Sequence, residues 1–141
     1  MKVNSYYPVV TVEDVATATT FYEQHFGFEK GFDSGWYVHL MLPGHPAVNL
    51  AIMEASHDSL PDGFRNPAQG VLLNLEVEDV DAFYEKMVQA KVDILRPLKD
   101  EPWGQRHFIM KDPAGVMIDV IKLIPPTAEF AAQYTEETVP Q

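Results

Sequence analysis

The segment His107–Lys122 (HFIMKDPAGVMIDVIK) places a carboxylate in an apolar setting. Asp119 stands between Ile118 and Val120, in a run of residues typical of a strand that is buried on both faces. Burying a carboxylate is costly unless a partner compensates its charge. Such a residue can be a metal ligand, a catalytic acid or base, or a structural acceptor with its own donor.

Strand geometry indicates which side chain is the partner. The turn at residues 112–115 (DPAG) favours a type I turn with a bulged glycine, which places Ile109 opposite Asp119. Alternation then puts His107 on the same face as a diagonal neighbour of Asp119. A one-residue change in the turn would bring Arg106 there instead. Asp119 is therefore interpreted as paired with a neighbouring base, and metal ligation and orientation of His107 for general base chemistry stay open as alternatives.

Further candidates for a binding surface are polar and aromatic side chains that share these strand faces or lie in a loop. Together with His107 and Asp119, the predicted ligand-binding residues are Tyr7, Tyr37, His39, Asn74, Glu76 and Trp103. Trp103 is flanked by proline and glycine, and a loop tryptophan can stack on a flat or cationic ligand or cover the end of a sheet.

The histidines divide into two groups. His39 and His107 occupy equivalent places in the HLM and HFI segments, whereas His25, His45 and His57 lack metal-ligand spacing and are predicted to be solvated. The sequence contains no GxSxG, P-loop, GxGxxG or HExxH motif, so hydrolase, nucleotide and zinc-protease functions lack support. No catalytic residue is assigned.

A duplicated pattern supplies the elements that position these residues. VEDV occurs at 12–15 and again at 77–80, and FYE at 21–23 and again at 83–85. Each copy predicts a strand, a helix with an aspartate N-cap and three further strands.

The predicted fold class is therefore α+β, with two βαβββ modules that form mixed sheets. A single domain is expected over residues 1–124, with the modules at about 6–54 and 71–124, a polar linker at 55–70, and a short helix with an acidic tail at 125–141. The first strands of the two modules are expected at Tyr6–Val12 and Val71–Val77.

Composition limits the classes of partner. The chain has 141 residues, no cysteine and a net charge of −11, with 46% hydrophobic and 22% charged residues. Such a chain repels phosphate backbones and anionic lipid, so we expect no nucleic-acid or membrane partner. No apolar run approaches the roughly 18 residues of a membrane span, and the N-terminus lacks a secretory apolar region, which predicts a cytoplasmic protein. The charge would attract a cationic ligand, or it serves solubility alone.

Two segments resemble the vicinal oxygen chelate superfamily, which includes glyoxalase I, extradiol dioxygenases, fosfomycin-resistance enzymes and bleomycin-resistance proteins. They are PWGQRHFIMKDPAGVMIDVI, with its DPxG turn and following acidic strand, and the helix end FYEQHFGFE. The likeness extends over about Tyr6 to Leu123. It implies that each module forms a curved sheet and that the two sheets surround a cavity.

The resemblance also implies where a metal would be held in the metal-dependent members. The corresponding positions are Tyr7, Leu50 (or Ala51 if the alignment gap moves), Leu72 and Asp119. Only Asp119 is a competent ligand for a hard divalent cation, because leucine carries no donor atom. We therefore expect no metal and no cofactor, and the chain is similar to the metal-free members that sequester drugs such as bleomycin.

The expected function is that of a small-molecule-binding protein of the glyoxalase and bleomycin-resistance type. It would sequester a cationic or aromatic drug and would act in antibiotic resistance as a homodimer, rather than as an enzyme. The alternatives are a metal-dependent lyase or dioxygenase of the same superfamily and a metabolite-sensing stress protein.

Overall fold

The computed structural model describes residues 1–141 and contains eight strands and three helices. In chain order they are β1 (Val9–Val12), α1 (Val15–Phe26), β2 (Glu29–Asp33), β3 (Tyr37–Leu42), β4 (His45–Glu54), β5 (Leu72–Glu76), α2 (Val80–Gln89), β6 (Ile94–Glu101), β7 (Gln105–Lys111), β8 (Met117–Leu123) and α3 (Ala128–Ala131).

The elements form two compact units with the same topology. The first unit comprises residues 1–69 with 113–115, and the second comprises 70–112 with 116–141. The sheets have the orders β1-β4-β3-β2 and β5-β8-β7-β6. In each sheet the first pair of strands is parallel and the others are antiparallel. The predicted α+β fold with two βαβββ modules is confirmed.

Both long helices begin at the predicted aspartates. The side chain of Asp14 accepts a hydrogen bond from the backbone N–H of Thr17, and that of Asp79 accepts one from Ala82, each at 3.0 Å. These bonds satisfy amide groups that have no partner within the helix. α1 ends at Gly27, whose φ of 76° is a left-handed conformation that favours glycine.

Each helix packs on one face of its own sheet, and the alternating apolar side chains of that face form the core. In the first unit this core includes Val10, Val12, Leu40 and Ile52, and in the second unit Phe108, Met110, Ile118 and Val120, all of them buried. Burial fixes the register, because a shift by one residue would turn the entire apolar set outward. The intervening residues therefore face the other side of the sheet, where the candidate site residues lie.

The first strand is shorter than predicted. β1 starts at Val9 instead of Tyr6, directly after Pro8, which has no N–H to donate to a ladder although its carbonyl still accepts from Ala51 at 3.0 Å. Tyr7 therefore lies ahead of the strand. β5 is one residue shorter at each end than the predicted range of 71–77.

The polar linker lies along the outer edge of β1. The N–H of Ala68 donates to the carbonyl of Thr11 at 2.8 Å, and the hydroxyl of Thr11 donates to the carbonyl of Asn66 at 2.7 Å. These bonds occupy an edge that would otherwise be free to pair with another chain. No helix of the structure is long and apolar enough to cross a membrane.

Candidate functional site

The turn between β7 and β8 has the geometry that the sequence predicts. The N–H of Asp112 donates to the carbonyl of Val116 at 2.9 Å, and Ile109 is the register partner of Asp119. Gly115 of this turn has a φ of 87°, in the left-handed region. His107 accordingly lies diagonal to Asp119, and its Nδ1 is 2.7 Å from Asp119 Oδ1. The predicted pairing of the buried carboxylate with a neighbouring base is confirmed, and that base is His107.

A second carboxylate contacts the other side of the imidazole. Glu101 Oε1 is 3.4 Å from Nε2 of His107 and 3.7 Å from the ammonium of Lys99. The side chains of His107, Glu101 and Asp119 are 11%, 14% and 7% exposed, so the three groups are largely shielded from water. The ring thus lies between two carboxylates. We call the set of His107, Asp119, Glu101 and the neighbouring Trp103 the His107 centre.

Glu101 was not among the predicted site residues. It lies at the end of β6, whose pairing with β7 shifts register twice, between Ile94 and Arg96 and again between Arg96 and Lys99. The alternation of side chains between the two faces of a sheet cannot be extrapolated from the sequence across such register shifts. The available signal was the charge pattern of the segment KDE at residues 99–101, which does not by itself indicate a face.

Burial changes the protonation of Asp119. Desolvation raises the pKa of this carboxyl above its usual value, the hydrogen bond and the charge of His107 oppose the rise, and the negative charge of Glu101 adds to it. The net direction is upward. Asp119 therefore takes up a proton at a higher pH than an ordinary aspartate does.

Arg106 is not the partner of Asp119. It follows the opposite face of β7, where its guanidinium donates two hydrogen bonds to Asp81, at 2.7 and 3.0 Å, and one to Asp100 at 2.8 Å. These bonds raise the pKa of Arg106 further above its ordinary value. Since Asp81 belongs to the first turn of α2, the arginine ties this helix to the sheet and takes no part in the His107 centre.

Trp103 lies at the border of the centre and is 36% exposed. Its ring stands edge to face against His107, with a centroid distance of 6.2 Å, and makes a similar contact at 6.2 Å with Phe130 of α3. The indole N–H donates to Gln105 at 2.8 Å, and the hydroxyl of Tyr134 donates to the carbonyl of Trp103. The C-terminal segment thus fixes the indole while part of the ring stays accessible.

β5 contributes polar side chains beside the centre. Asn74 is the register partner of Asp119, and Glu76 is the partner of Ile121. Both residues are exposed. Leu72 is paired with Met117, is 43% exposed and presents only apolar surface.

The first unit repeats the arrangement with an amide in place of the acid. His39 Nε2 is 3.0 Å from Oδ1 of Asn49, and the ring of Tyr7 meets that of His39 edge to face at 4.6 Å. Burial raises the pKa of Tyr37, and a hydrogen bond with Tyr7 raises it further. The structure therefore brings Tyr7, Tyr37 and His39 together, as predicted, and adds Asn49.

Asn49 contacts His39 as Asp119 contacts His107, but the register counterpart of Asp119 on β4 is Ala51, because Val9 pairs with Ala51 as Asn74 pairs with Asp119. Leu50, the other position that the resemblance implied, is 4% exposed and faces the core. The alignment gap moves because the β3–β4 turn is shorter: Leu42 pairs with His45, whereas the equivalent turn in the second unit spans Lys111 to Met117. The alternative position, Ala51, faces the same side as His39 but carries no polar atom.

The residues present do not fit a divalent metal. No group of three or more His, Asp or Glu side chains is arranged to hold an ion. In the His107 centre the imidazole separates the two carboxylates, and Leu72 and Ala51 have no donor atoms. Neither unit therefore offers a divalent metal the ligands that it requires.

A groove elsewhere in the first unit does not include the predicted residues. Its volume is about 370 Å³, and its lining contains Glu13, Asp14, Thr17 and Gln69. These groups include a helix N-cap, and they form no pair of acid and base. The chemistry of the side chains therefore favours the His107 centre as the candidate site.

The family follows from a comparison of the whole chain with known families. The family model described as Glyoxalase/Bleomycin resistance protein/Dioxygenase superfamily matches residues 6–120. The chain belongs to this superfamily. The predicted resemblance is confirmed.

The chain is also similar to solved structures and, over part of its length, to one curated sequence. A superfamily member from Sphaerobacter thermophilus is 26% identical, with a TM-score of 0.71 over 86% of this chain and 98% of that one. TnmS3, described as an antibiotic binding protein from Streptomyces sp. CB03234, is 24% identical, with a TM-score of 0.68 over 86% and 97% of the two chains, and shows the same fold. An uncharacterized Mycobacterium bovis protein, Mb0911c, is 36% identical over 45 residues, which are 32% of this chain. The match spans 30% of the length of that curated relative.

The raised pKa of Asp119 predicts a specific pH dependence of stability. The folded protein holds this proton more tightly than the unfolded chain, so the free energy of unfolding falls as pH rises through the interval above 3.8. The Asp119→Asn variant has no ionisable group at this position, so this contribution to the pH dependence is absent. Relative to this variant, the wild type should lose stability as pH rises above about 4. Urea unfolding of both proteins across this range measures the difference.

Asp62→Asn is the matched control, because the Asp62 side chain is 95% exposed and lies in the linker. This variant should follow the wild type at every pH in the interval. A stability difference between wild type and Asp119→Asn that stays constant with pH would contradict the assignment.

Proposed function

We propose that this protein binds a small cationic or aromatic molecule at the His107 centre and sequesters it without converting it. The observation that carries the proposal is the largely buried imidazole between Asp119 and Glu101, next to the accessible ring of Trp103. A few placed polar groups in partly apolar surroundings are the usual form of a small-molecule site.

The charge of the centre favours a cation. Two carboxylates surround one imidazole, so the set stays anionic when both acids are ionised, even if His107 is protonated. Lys99 approaches Glu101 at 3.7 Å, but its side chain is 70% exposed and is free to move away. A net charge of −11 adds a long-range attraction for cationic molecules.

The apolar part of the centre favours a ring. The indole of Trp103 is held by Gln105 and Phe130, so little freedom is lost when a ligand stacks on it. A cation above an indole contributes on the order of 0.5–2 kcal/mol. Exposed Leu72 on β5 extends the apolar surface of the same sheet.

The comparisons support the same class of function. TnmS3 is named as an antibiotic binding protein and shares the fold along most of both chains. Its 24% identity limits the likeness to the fold, so the ligand of this chain is inferred from its own residues. We also propose that the protein is cytoplasmic and that it has no nucleic-acid or membrane partner.

A second candidate function is metal-independent general base catalysis by His107. Asp119 Oδ1 contacts Nδ1 at 2.7 Å and would orient the ring, while the longer contact of 3.4 Å at Nε2 is one that a substrate proton donor could replace. Product formation with a bound compound in chelator-treated buffer, lost in His107→Gln, would favour this function. Binding without turnover favours sequestration.

A calorimetric titration tests the proposal. The ligand is the strongest hit of a thermal-shift screen with cationic aromatic antibiotics, because a bound ligand stabilises the folded state. Asp119→Asn and Trp103→Ala should each weaken binding, by about 2- to 30-fold for the loss of the aromatic contact. The two effects should add if the contacts are separate.

Asp62→Asn again serves as the control and should bind like the wild type, since its side chain is 95% exposed in the linker. Unchanged affinity in both site variants would contradict the proposal. It would place the site under the 55–70 linker and leave Asp119 with a structural role alone.

We further propose that the protein is a homodimer. Exposed apolar side chains occur on both sheets, including Val9 and Met41 in the first unit and Leu72 and Leu123 in the second. Surface of this kind is often covered by a partner subunit. Light scattering at micromolar concentration should give twice the chain mass of 15.9 kDa. A mass of one chain would contradict the dimer.

A further inference from the structure

The segment that follows β8, residues 124–141, is joined by hydrogen bonds to the loop at residues 102–104, which carries Trp103. The carbonyls of all three loop residues accept a hydrogen bond from this segment. The bonds run from the N–H of Thr127 to Pro102 at 2.9 Å, from the hydroxyl of Tyr134 to Trp103, and from the N–H of Ile124 to Gly104 at 2.9 Å. The segment and the loop therefore form one connected piece of the second unit.

The segment also packs closely against the backbone of this loop. Gly104 has a φ of 106°, and a Cβ added to it would lie 2.9 Å from the carbonyl oxygen of Ile124. The same atom would lie 3.3 Å from the side chains of Pro126 and Pro140, and Pro140 is buried. Residues near the beginning and near the end of the segment thus meet at the loop.

The loop connects two members of the His107 centre. Glu101 directly precedes it, and the N–H of Gly104 donates to the carbonyl of Glu101 at 3.1 Å, which closes the turn. The ring of Trp103 contacts Phe130 of the segment on one side and His107 on the other, each at a centroid distance of 6.2 Å. A change in the position of the segment would therefore reach the indole and the turn beside Glu101.

The segment has little structure that would persist without the loop. Its helix, α3, spans four residues, none of them buried, and the N-cap Thr127 makes no side-chain capping bond. A single helical turn is not stable by itself in water. Each hydrogen bond to the loop contributes only a small net stability. The docked and released forms of the segment are therefore close in free energy.

From these contacts we propose that residues 124–141 are a clasp that docks on the Trp103 loop and is released from it. Docking sets the access of small molecules to the indole and the affinity of the His107 centre. The effect on affinity rests on the function proposed above. A ligand binds more tightly to an indole that is already fixed, and by linkage it stabilises the docked clasp by the same factor. Phe130 and Tyr134 are thus positioning residues that act through Trp103.

Substitutions at Thr127 test the clasp with a control at the same position. The φ of Thr127 is −63°, which suits proline, so Thr127→Pro removes the N–H that bonds Pro102 without requiring a new φ. Thr127→Ala keeps this N–H and removes a side chain that makes no capping bond. Both variants are made in a Trp36→Phe parent, in which Trp103 is the remaining one of the two tryptophans.

Quenching of the Trp103 emission by acrylamide measures access to the indole without any ligand. Thr127→Pro should raise the Stern–Volmer constant by up to about threefold, because 36% of the residue is exposed while the clasp is docked. Thr127→Ala should match the parent. Tyr134→Phe deletes the hydroxyl that bonds Trp103 and keeps the ring, so it should also raise the constant and serves as the test if Thr127→Pro does not fold.

A titration with benzyltrimethylammonium, which joins a quaternary cation to an aromatic ring, measures affinity through the same emission. Thr127→Pro should weaken binding by about 2- to 12-fold, the effect of one lost hydrogen bond. Thr127→Ala should bind like the parent. Circular dichroism of each variant checks that it is folded.

Equal quenching in Thr127→Pro, Tyr134→Phe and the parent would overturn the clasp. An equal effect of Thr127→Ala and Thr127→Pro would also overturn it, because the N–H would then not be the cause. Increased quenching with unchanged affinity would overturn the control of binding. A lack of saturable binding in the parent would count against the function proposed for the His107 centre, and the quenching comparison would still decide whether the segment is a clasp.

Discussion

The hydrogen bond between Asp119 and His107 is the interaction on which the arrangement of the second unit depends. A carboxylate that is 5% exposed needs a donor, and the donor can reach it only if β7 and β8 keep their register. The bulged glycine at 115 sets that register and, at the same time, turns Arg106 to the helix side of the sheet, where it binds Asp81. The register set by this one turn thus determines both the contact of His107 with Asp119 and the attachment of α2 through Arg106.

The two modules share one backbone topology but differ in the charge of the groups that contact their equivalent histidines. The first unit has His39 bonded to the amide of Asn49 at 3.0 Å, and the second has His107 bonded to a carboxylate at 2.7 Å with Glu101 on its other side. A neutral amide attracts no counter-charge, whereas the buried acids do. This asymmetry places two largely shielded carboxylates beside the histidine of the second unit and none beside that of the first, which is the basis for the cation site proposed in the second unit. The donors that a metal-dependent member of the superfamily would require are not assembled in either one.

Features that depend on a few neighbouring residues could be predicted from the sequence. The aspartate caps, the turn at 112–115 and the alternation of β8 predicted the modules and the His107–Asp119 pair, because each depends on a few neighbouring residues. Features that depend on insertion length or on distant packing were missed. The shorter β3–β4 turn concealed Asn49 as the partner of His39, and the register shifts of β6 concealed Glu101. The stacked rings of Trp36 and His57, 3.6 Å apart, join the residue before β3 to the linker, and no sequence periodicity predicts such a contact.

The most direct test of the account is a crystal structure of the protein with a cationic aromatic compound selected by thermal shift. The account predicts that the compound contacts the Asp119 and Glu101 carboxylates through its charge and the ring of Trp103 through its plane, with the imidazole of His107 still between the acids. A compound bound with none of these side chains within contact distance would contradict the central claim that the buried acid–base pair is a ligand site.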